Sequence, residues 1–275
     1  FLSKSLNENV LNYGAGNYGL DQAYLRFLKN IPPQEQKSII IMNVVPETIL
    51  RIHSQWKHFL EYGNILAFKP SFTLSNQKLK KQDNPIQKIQ DFKNIKEIIS
   101  SLTKSDPFYK EKFQKDIMSF PYTLSILKNI KIIKLLWNLS TSRNENAKKK
   151  AFSIILSENH KLQNEYFKNF SKVNLLEKLV ESFSKSAREF DLLPILVVMP
   201  QPNDLIDIKK GKAIYQKIFW DFNKYLPVYD MAELFLSCEE NIKIYKTGDL
   251  GDHPSPELNL KIAEKLRKII KEIEN

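Results

Sequence analysis

The chain predicts an α/β fold built on a parallel sheet, and three observations predict it. Two continuous apolar runs rich in β-branched residues, Ser-Ile-Ile-Ile-Met-Asn at 38–43 and Leu-Pro-Ile-Leu-Val-Val-Met-Pro at 193–200, suit strands buried on both faces. Apolar residues at helical spacing alternate with such runs, over 20–29, 211–225 and 258–270. Strand–helix alternation of this kind implies parallel strands. Two glycine-broken segments sit at the ends of the pattern, Asn-Tyr-Gly-Ala-Gly-Asn-Tyr-Gly-Leu-Asp-Gln-Ala at 12–23 and Tyr-Lys-Thr-Gly-Asp-Leu-Gly-Asp-His-Pro-Ser-Pro-Glu-Leu-Asn at 245–259. In a parallel sheet ligands sit at the carboxyl ends of the strands, where both segments would emerge.

Taken in order, residues 9–13 read as a short buried strand that ends at the glycines. Residues 20–29 follow as a helix, with Asp21 early enough to meet the positive end of its dipole. A Pro-Pro break precedes the strand at 38–43. Residues 46–62 read as a helix, with Pro46 at its start and Gly63 just past its end. Residues 64–72 are irregular and extended. Helical patterns dominate 85–190, which we take as a helical insertion, for packing or as a lid, within one domain spanning 1–275. Residues 193–200 are the clearest strand, 211–225 an amphipathic helix, 226–230 another short strand, and 258–270 the closing helix, capped by Ser255 or Asn259.

Composition narrows the class. With 42% hydrophobic and 27% charged residues, the chain has the balance of a soluble globular protein. One cysteine, Cys238, excludes a disulfide framework within the chain. No apolar run reaches bilayer length and no signal peptide is visible, so no membrane span is expected and a cytoplasmic location is favoured. The net charge of +11 comes mostly from lysines spread along the chain. A nucleic-acid binder would cluster Arg with aromatics on one face, so no nucleic-acid partner is expected. No cofactor and no metal are expected either.

The chemistry lies in the two glycine-broken segments. His253 stands beside carboxylates in a loop, where it can be held in one tautomer and act as a general base. The other histidines, His53, His58 and His160, fall inside helical patterns among Gln, Lys and Asn and read as solvated. The two segments together resemble the SGNH (GDSL) hydrolase family, over roughly 5–72 and 190–270. That resemblance implies a flavodoxin-like parallel sheet with helices on both faces, relative to which the helical insertion at about 85–190 is an enlargement of the central region. It also implies a serine esterase or acyl-ester hydrolase working through an acyl-enzyme on a small acyl ester or an acylated carbohydrate.

The resemblance assigns roles with departures. His253 takes the place of the base. The family usually has its acid three residues before the histidine, where this chain has Leu250. Asp249 lies four before and Asp252 is adjacent; Asp249 is preferred, because neighbouring side chains usually point apart. The oxyanion-hole position falls on Asn17, whose backbone N–H can still serve, with Gly14 and Gly16 allowing close approach of substrate. A further donor in the family's third block would be Asn43 or Thr48. The family's nucleophilic serine ends the first strand in a Gly-Asp-Ser block. Neither Ser3 nor Ser5 fits that context. The expectation is therefore an N-terminally truncated fragment, lacking the first strand and its serine and inactive alone. The alternative is a non-catalytic carbohydrate-binding or assembly protein that keeps the SGNH fold. A basic nucleic-acid-binding helical protein is the third class.

Overall fold

A computed structural model describes residues 1–31, 38–61, 63–116, 121–141, 145–239, 244–248 and 251–274. The elements run in the order α1 (Leu2–Leu6), α2 (Leu20–Lys29), β1 (Ile39–Val44), α3 (Thr48–Arg51), β2 (Ser71–Ser75), β3 (Lys78–Gln82), α4 (Ile95–Ser105), α5 (Gln114–Asp116), α6 (Tyr122–Thr141), α7 (Glu145–Lys168) and α8 (Phe170–Glu189). They continue with β4 (Leu193–Val198), α9 (Pro202–Lys209), α10 (Ile214–Trp220), β5 (Val228–Asp230), α11 (Ala232–Glu239), β6 (Tyr245–Gly248), β7 (Gly251–Pro254) and α12 (Pro256–Glu274). They form two compact units, residues 1–48 with 176–275, and residues 49–175. The insertion read at 85–190 overlaps the second unit, but its last residues belong to the first.

The first unit is α/β. Its sheet has the order β1-β4-β5, all parallel, with Ile39 opposite Leu193 and Leu196 opposite Val228. The central strand explains itself. Side chains alternate across a strand, and Ile195, Leu196, Val197 and Val198 are all almost fully buried. Both faces are therefore covered, which is why the sequence runs apolar without alternation. On the face of Ile195 and Val197 the core includes Leu205 of α9, Phe235 of α11 and Leu258, Ile262, Leu266 and Ile269 of α12. Elsewhere in the unit α2 and α8 pack together, with Phe27 and Phe183 edge to face at 5.3 Å and the Tyr24 and Ser186 hydroxyls 3.0 Å apart.

β1 has nearly the same composition as β4 and a different fate. Leu193 N–H donates to Ser38 and Met199 N–H to Val44. In a parallel ladder this aims the backbone groups of Ser38, Ile40, Met42 and Val44 at β4 and those of Ile39, Ile41 and Asn43 away from it. Among the described residues nothing pairs with that outer edge.

The strand expected at 9–13 does not form. The backbone there joins no ladder, and Val10 and Leu11 are 41% and 60% exposed. An apolar run becomes a strand only with a neighbour to satisfy its amides, and no described strand lies in register with it. The loop expected around His253 is instead the antiparallel hairpin β6–β7, with Lys246 opposite His253.

The second unit is mainly helical with an aromatic core. Trp56 stacks on Phe68 at 5.2 Å, Phe59 meets Phe113 at 5.0 Å, and Phe108 stacks on Tyr166 at 5.3 Å. The helix expected over 46–62 is cut short, and a distant carboxylate is the cause. Buried Asp106 accepts from the Ser54 hydroxyl at 2.8 Å, from Gln55 N–H at 2.9 Å and from Trp56 N–H at 3.4 Å. Those groups turn toward Asp106 instead of continuing the helix, and Trp56 forms a bridge with Phe68. The segment expected to be irregular and extended over 64–72 runs into a second hairpin, β2–β3, whose first strand already holds Ser71 and Phe72. Its two-residue turn has Asn76 at φ 49° and Gln77 at φ 61°, the mirror-image turn that matches strand twist.

Candidate functional site

The glycine-rich segment is built as a turn feeding α2. Gly14 N–H donates to the Asn12 side chain at 2.9 Å, a local Asx turn. The left-handed residue in this turn is Asn17, at φ 63°, and none of the neighbouring glycines. Asn is among the few side chains that adopt this region at low cost. Gly16 faces open space: a side chain there would meet nothing within 4 Å.

Gly19, at the start of α2, has no side chain to cap the helix. Thr48 does so from across the unit, its Oγ1 accepting Leu20 N–H at 2.8 Å. Both residues are buried. Thr48 follows β1, so the turn's downstream end is tied to the carboxyl end of that strand. This contact engages Thr48 as a helix cap. Asn43, one residue earlier than the end of β1, is exposed on the strand facing Val197.

The histidine segment is anchored at the same end of the sheet. The Tyr245 hydroxyl donates to the Pro200 carbonyl at 2.8 Å, just past the end of β4. Tyr245 also meets Phe235 edge to face at 6.0 Å. After the hairpin, Ser255 N–H donates to the Ile244 carbonyl at 2.8 Å, and Ser255 Oγ accepts Leu258 N–H at 3.0 Å. The sequence placed the cap of the last helix on Ser255 or Asn259, and Ser255 makes it.

His253 is exposed on β7. Among the described residues its ring has no hydrogen-bond partner. Asp252 lies opposite Thr247 in the hairpin, and Asp249, the preferred acid, lies outside the described residues. Ser3 is engaged locally, its hydroxyl donating to the Glu8 carbonyl at 2.6 Å. Among the described residues no group of three or more His, Cys, Asp or Glu side chains is placed to hold a metal.

Two polar clusters escaped the sequence reading. Asp230 ends β5, at the same edge of the sheet as both motif segments. It accepts from Gln216 Nε2 at 3.0 Å, the Tyr215 hydroxyl at 3.2 Å and Ala232 N–H at 2.9 Å. Burial pushes its carboxyl up from the usual range, against those donors. Its partners make it a cap for α11.

The second cluster is in the helical unit. His53 is not solvated: its Nε2 lies 3.2 Å from the Lys172 carbonyl and its ring packs on Tyr166 at 5.4 Å. Burial, with the Lys172 charge beside it, lowers its pKa to about 3, so the ring is neutral. The Tyr166 hydroxyl donates to Glu111 at 2.6 Å, and Lys172 Nζ stands 3.5 Å from the same carboxylate. Only the Trp and Phe density around His53 could have hinted at its burial, because its tertiary partners lie more than a hundred residues away.

Comparison with protein-family models, curated proteins and solved structures finds no match to this chain.

Proposed function

We propose that this chain carries the base and oxyanion portion of a serine acyl-ester hydrolase of SGNH type, acting on a small acyl ester or an acylated carbohydrate. One observation carries the reading. The glycine turn is tied through Thr48 to the carboxyl end of β1, and the histidine hairpin through Tyr245 to the carboxyl end of β4. These strands are adjacent and parallel, and ligands of open α/β sheets bind at that end.

The strand order supports a flavodoxin-like reading. In the order 2-1-3-4-5, β1, β4 and β5 correspond to the third, fourth and fifth strands. The outer edge of β1, unpaired among the described residues, would then be the side where a first strand pairs. In this reading His253 is the general base, Asp249 or Asp252 its orienting acid, and Asn17 N–H an oxyanion donor, assisted by Asn43. Gly14 and Gly16 leave room for substrate. Gly-Asp-Ser does not occur in the 275 residues, and this reading assigns neither Ser3 nor Ser5 as the hydroxyl that His253 would deprotonate.

The test is hydrolysis of p-nitrophenyl acetate. The chain alone should not exceed a denatured control. Fusing an apolar strand that ends in Gly-Asp-Ser ahead of Phe1 should produce turnover, and His253→Ala should abolish it. Turnover by the present chain that disappears on mutating Ser3 or Ser5 would overturn the assignment. A fused chain that binds acylated sugars without cleaving them would favour the non-catalytic carbohydrate-binding reading.

A further inference from the structure

We infer that α6 is a docking surface for an anionic phospholipid membrane, lying along the interface without crossing it. This is independent of the hydrolase reading and rests on the helical unit alone. α6 has 20 residues, about 30 Å of helix. Among its described exposed residues a group is apolar: Leu124, Ile126, Leu127, Ile130 and Trp137 are 43–66% exposed. Ser125 is buried, and α6 packs against α7, which marks the inward side. Scattered surface apolar residues need no explanation, whereas five on one helix form a patch of the kind that marks an interaction site.

Charge identifies the occupant. α6 has three lysines and no Asp or Glu, and exposed Lys134 lies among the outward apolar residues. Over residues 128–150 the sequence has seven Lys or Arg against one Glu, a net +6 of the chain's +11. A second copy of this chain would meet the same positive charge and be repelled. Nucleic acid would engage the lysines and stack on Trp137, but it would leave Leu124, Ile126, Leu127 and Ile130 facing water. An anionic bilayer satisfies both features at once. Aliphatic side chains and Trp enter the headgroup–acyl boundary while lysines meet the lipid phosphates. Among the described residues no helix is long and apolar enough to cross a membrane, which leaves the in-plane arrangement.

The test is co-sedimentation of the full chain with vesicles of phosphatidylcholine alone and of phosphatidylcholine with roughly 30% phosphatidylglycerol. Binding to the anionic vesicles only is expected, weakening as salt rises. The Ile126→Ser, Ile130→Ser, Trp137→Ser triple variant should lose roughly tenfold or more of that partition. These positions are exposed, so its circular dichroism should match the parent. In a Trp220→Phe background, which leaves buried Trp56 and exposed Trp137, anionic vesicles should shift the tryptophan emission to the blue. Three results would each overturn the proposal: no binding to anionic vesicles, equal binding by the triple variant, or self-association in buffer that the triple variant abolishes.

Discussion

The two units of this chain build their interiors from different parts. In the α/β unit the apolar groups are inside: β4 is covered on both faces, and α12 lays Leu258, Ile262, Leu266 and Ile269 against it. In the helical unit aromatic rings share the interior with polar groups. Asp106, Ser54, Asn159 and Gln163 are all buried, while Leu124, Ile126, Leu127 and Ile130 of α6 are exposed. A core of the first kind tolerates local errors, because dispersion and apolar burial are non-directional. One of the second kind depends on each polar group finding its partner, because an unmade buried hydrogen bond costs its full desolvation.

The contrast is sharpest at the centre of each unit. Leu196→Ala removes a fully buried side chain from the middle of the sheet and should cost about 4 kcal/mol in chemical denaturation. Asp106→Ala should cost about 3 kcal/mol, nearly as much, though it removes almost no apolar surface. It would strand the N–H groups of Gln55 and Phe108. If Asp106→Ala is as mild as a surface change, the helical unit does not depend on its polar core and the contrast collapses.

Acid should separate the units next. The neutral ring of His53 in the folded state, with a pKa of about 3 against 6.5 ordinarily, contributes stability above pH 6.5 that is lost as pH falls toward 3. Asp106 works in the other direction. Its carboxyl is raised by burial, so its contribution weakens as pH rises through its folded pKa, above the ordinary carboxylate value. An acid titration followed by Trp56 fluorescence should show the helical unit loosening below pH 6.5. His53→Gln should flatten that limb, and an unchanged limb would show that another group governs it.

Smaller changes probe a long-range cap in the sheet unit. Thr48→Val keeps the shape and loses the acceptor for Leu20 N–H. It should cost about 1.5 kcal/mol, whereas Thr48→Ser should be close to neutral in the same thermal melt. The weakest effect belongs to the surface: Glu158→Gln breaks the exposed pair with Lys161, 2.7 Å long, and should change stability by about 0.5 kcal/mol or less.

How much could be read in advance follows the same division. β1, β4 and β5, their parallel arrangement and the helices α2 and α12 follow from periodicity, because two-sided apolar burial writes itself into the sequence. The break at Ser54–Trp56 could not be read, since its cause is a carboxylate fifty residues downstream. The β2–β3 turn was hidden because Asn76-Gln77 takes the conformation for which Asn-Gly is the usual signal. The strand at 9–13 was over-read: composition gave apolar residues, and composition does not report whether a neighbouring strand exists. At the candidate site, the residue types and their order were legible. Thr48's use as a cap and Asn17 as the left-handed residue were settled only by tertiary contacts and backbone geometry.

The open edge of β1 has a kinetic consequence along a single strand. Ile40, Met42 and Val44 turn their amides to β4, and Ile39, Ile41 and Asn43 turn theirs outward. Hydrogen–deuterium exchange along these six residues should therefore alternate. The first set would be released only when the sheet opens, and the second would exchange at nearly the rate of a loop. Any strand that adds to that edge, from this or another polypeptide, would erase the alternation by slowing only the odd-numbered amides. Those three amides are thus a built-in reporter of what binds there.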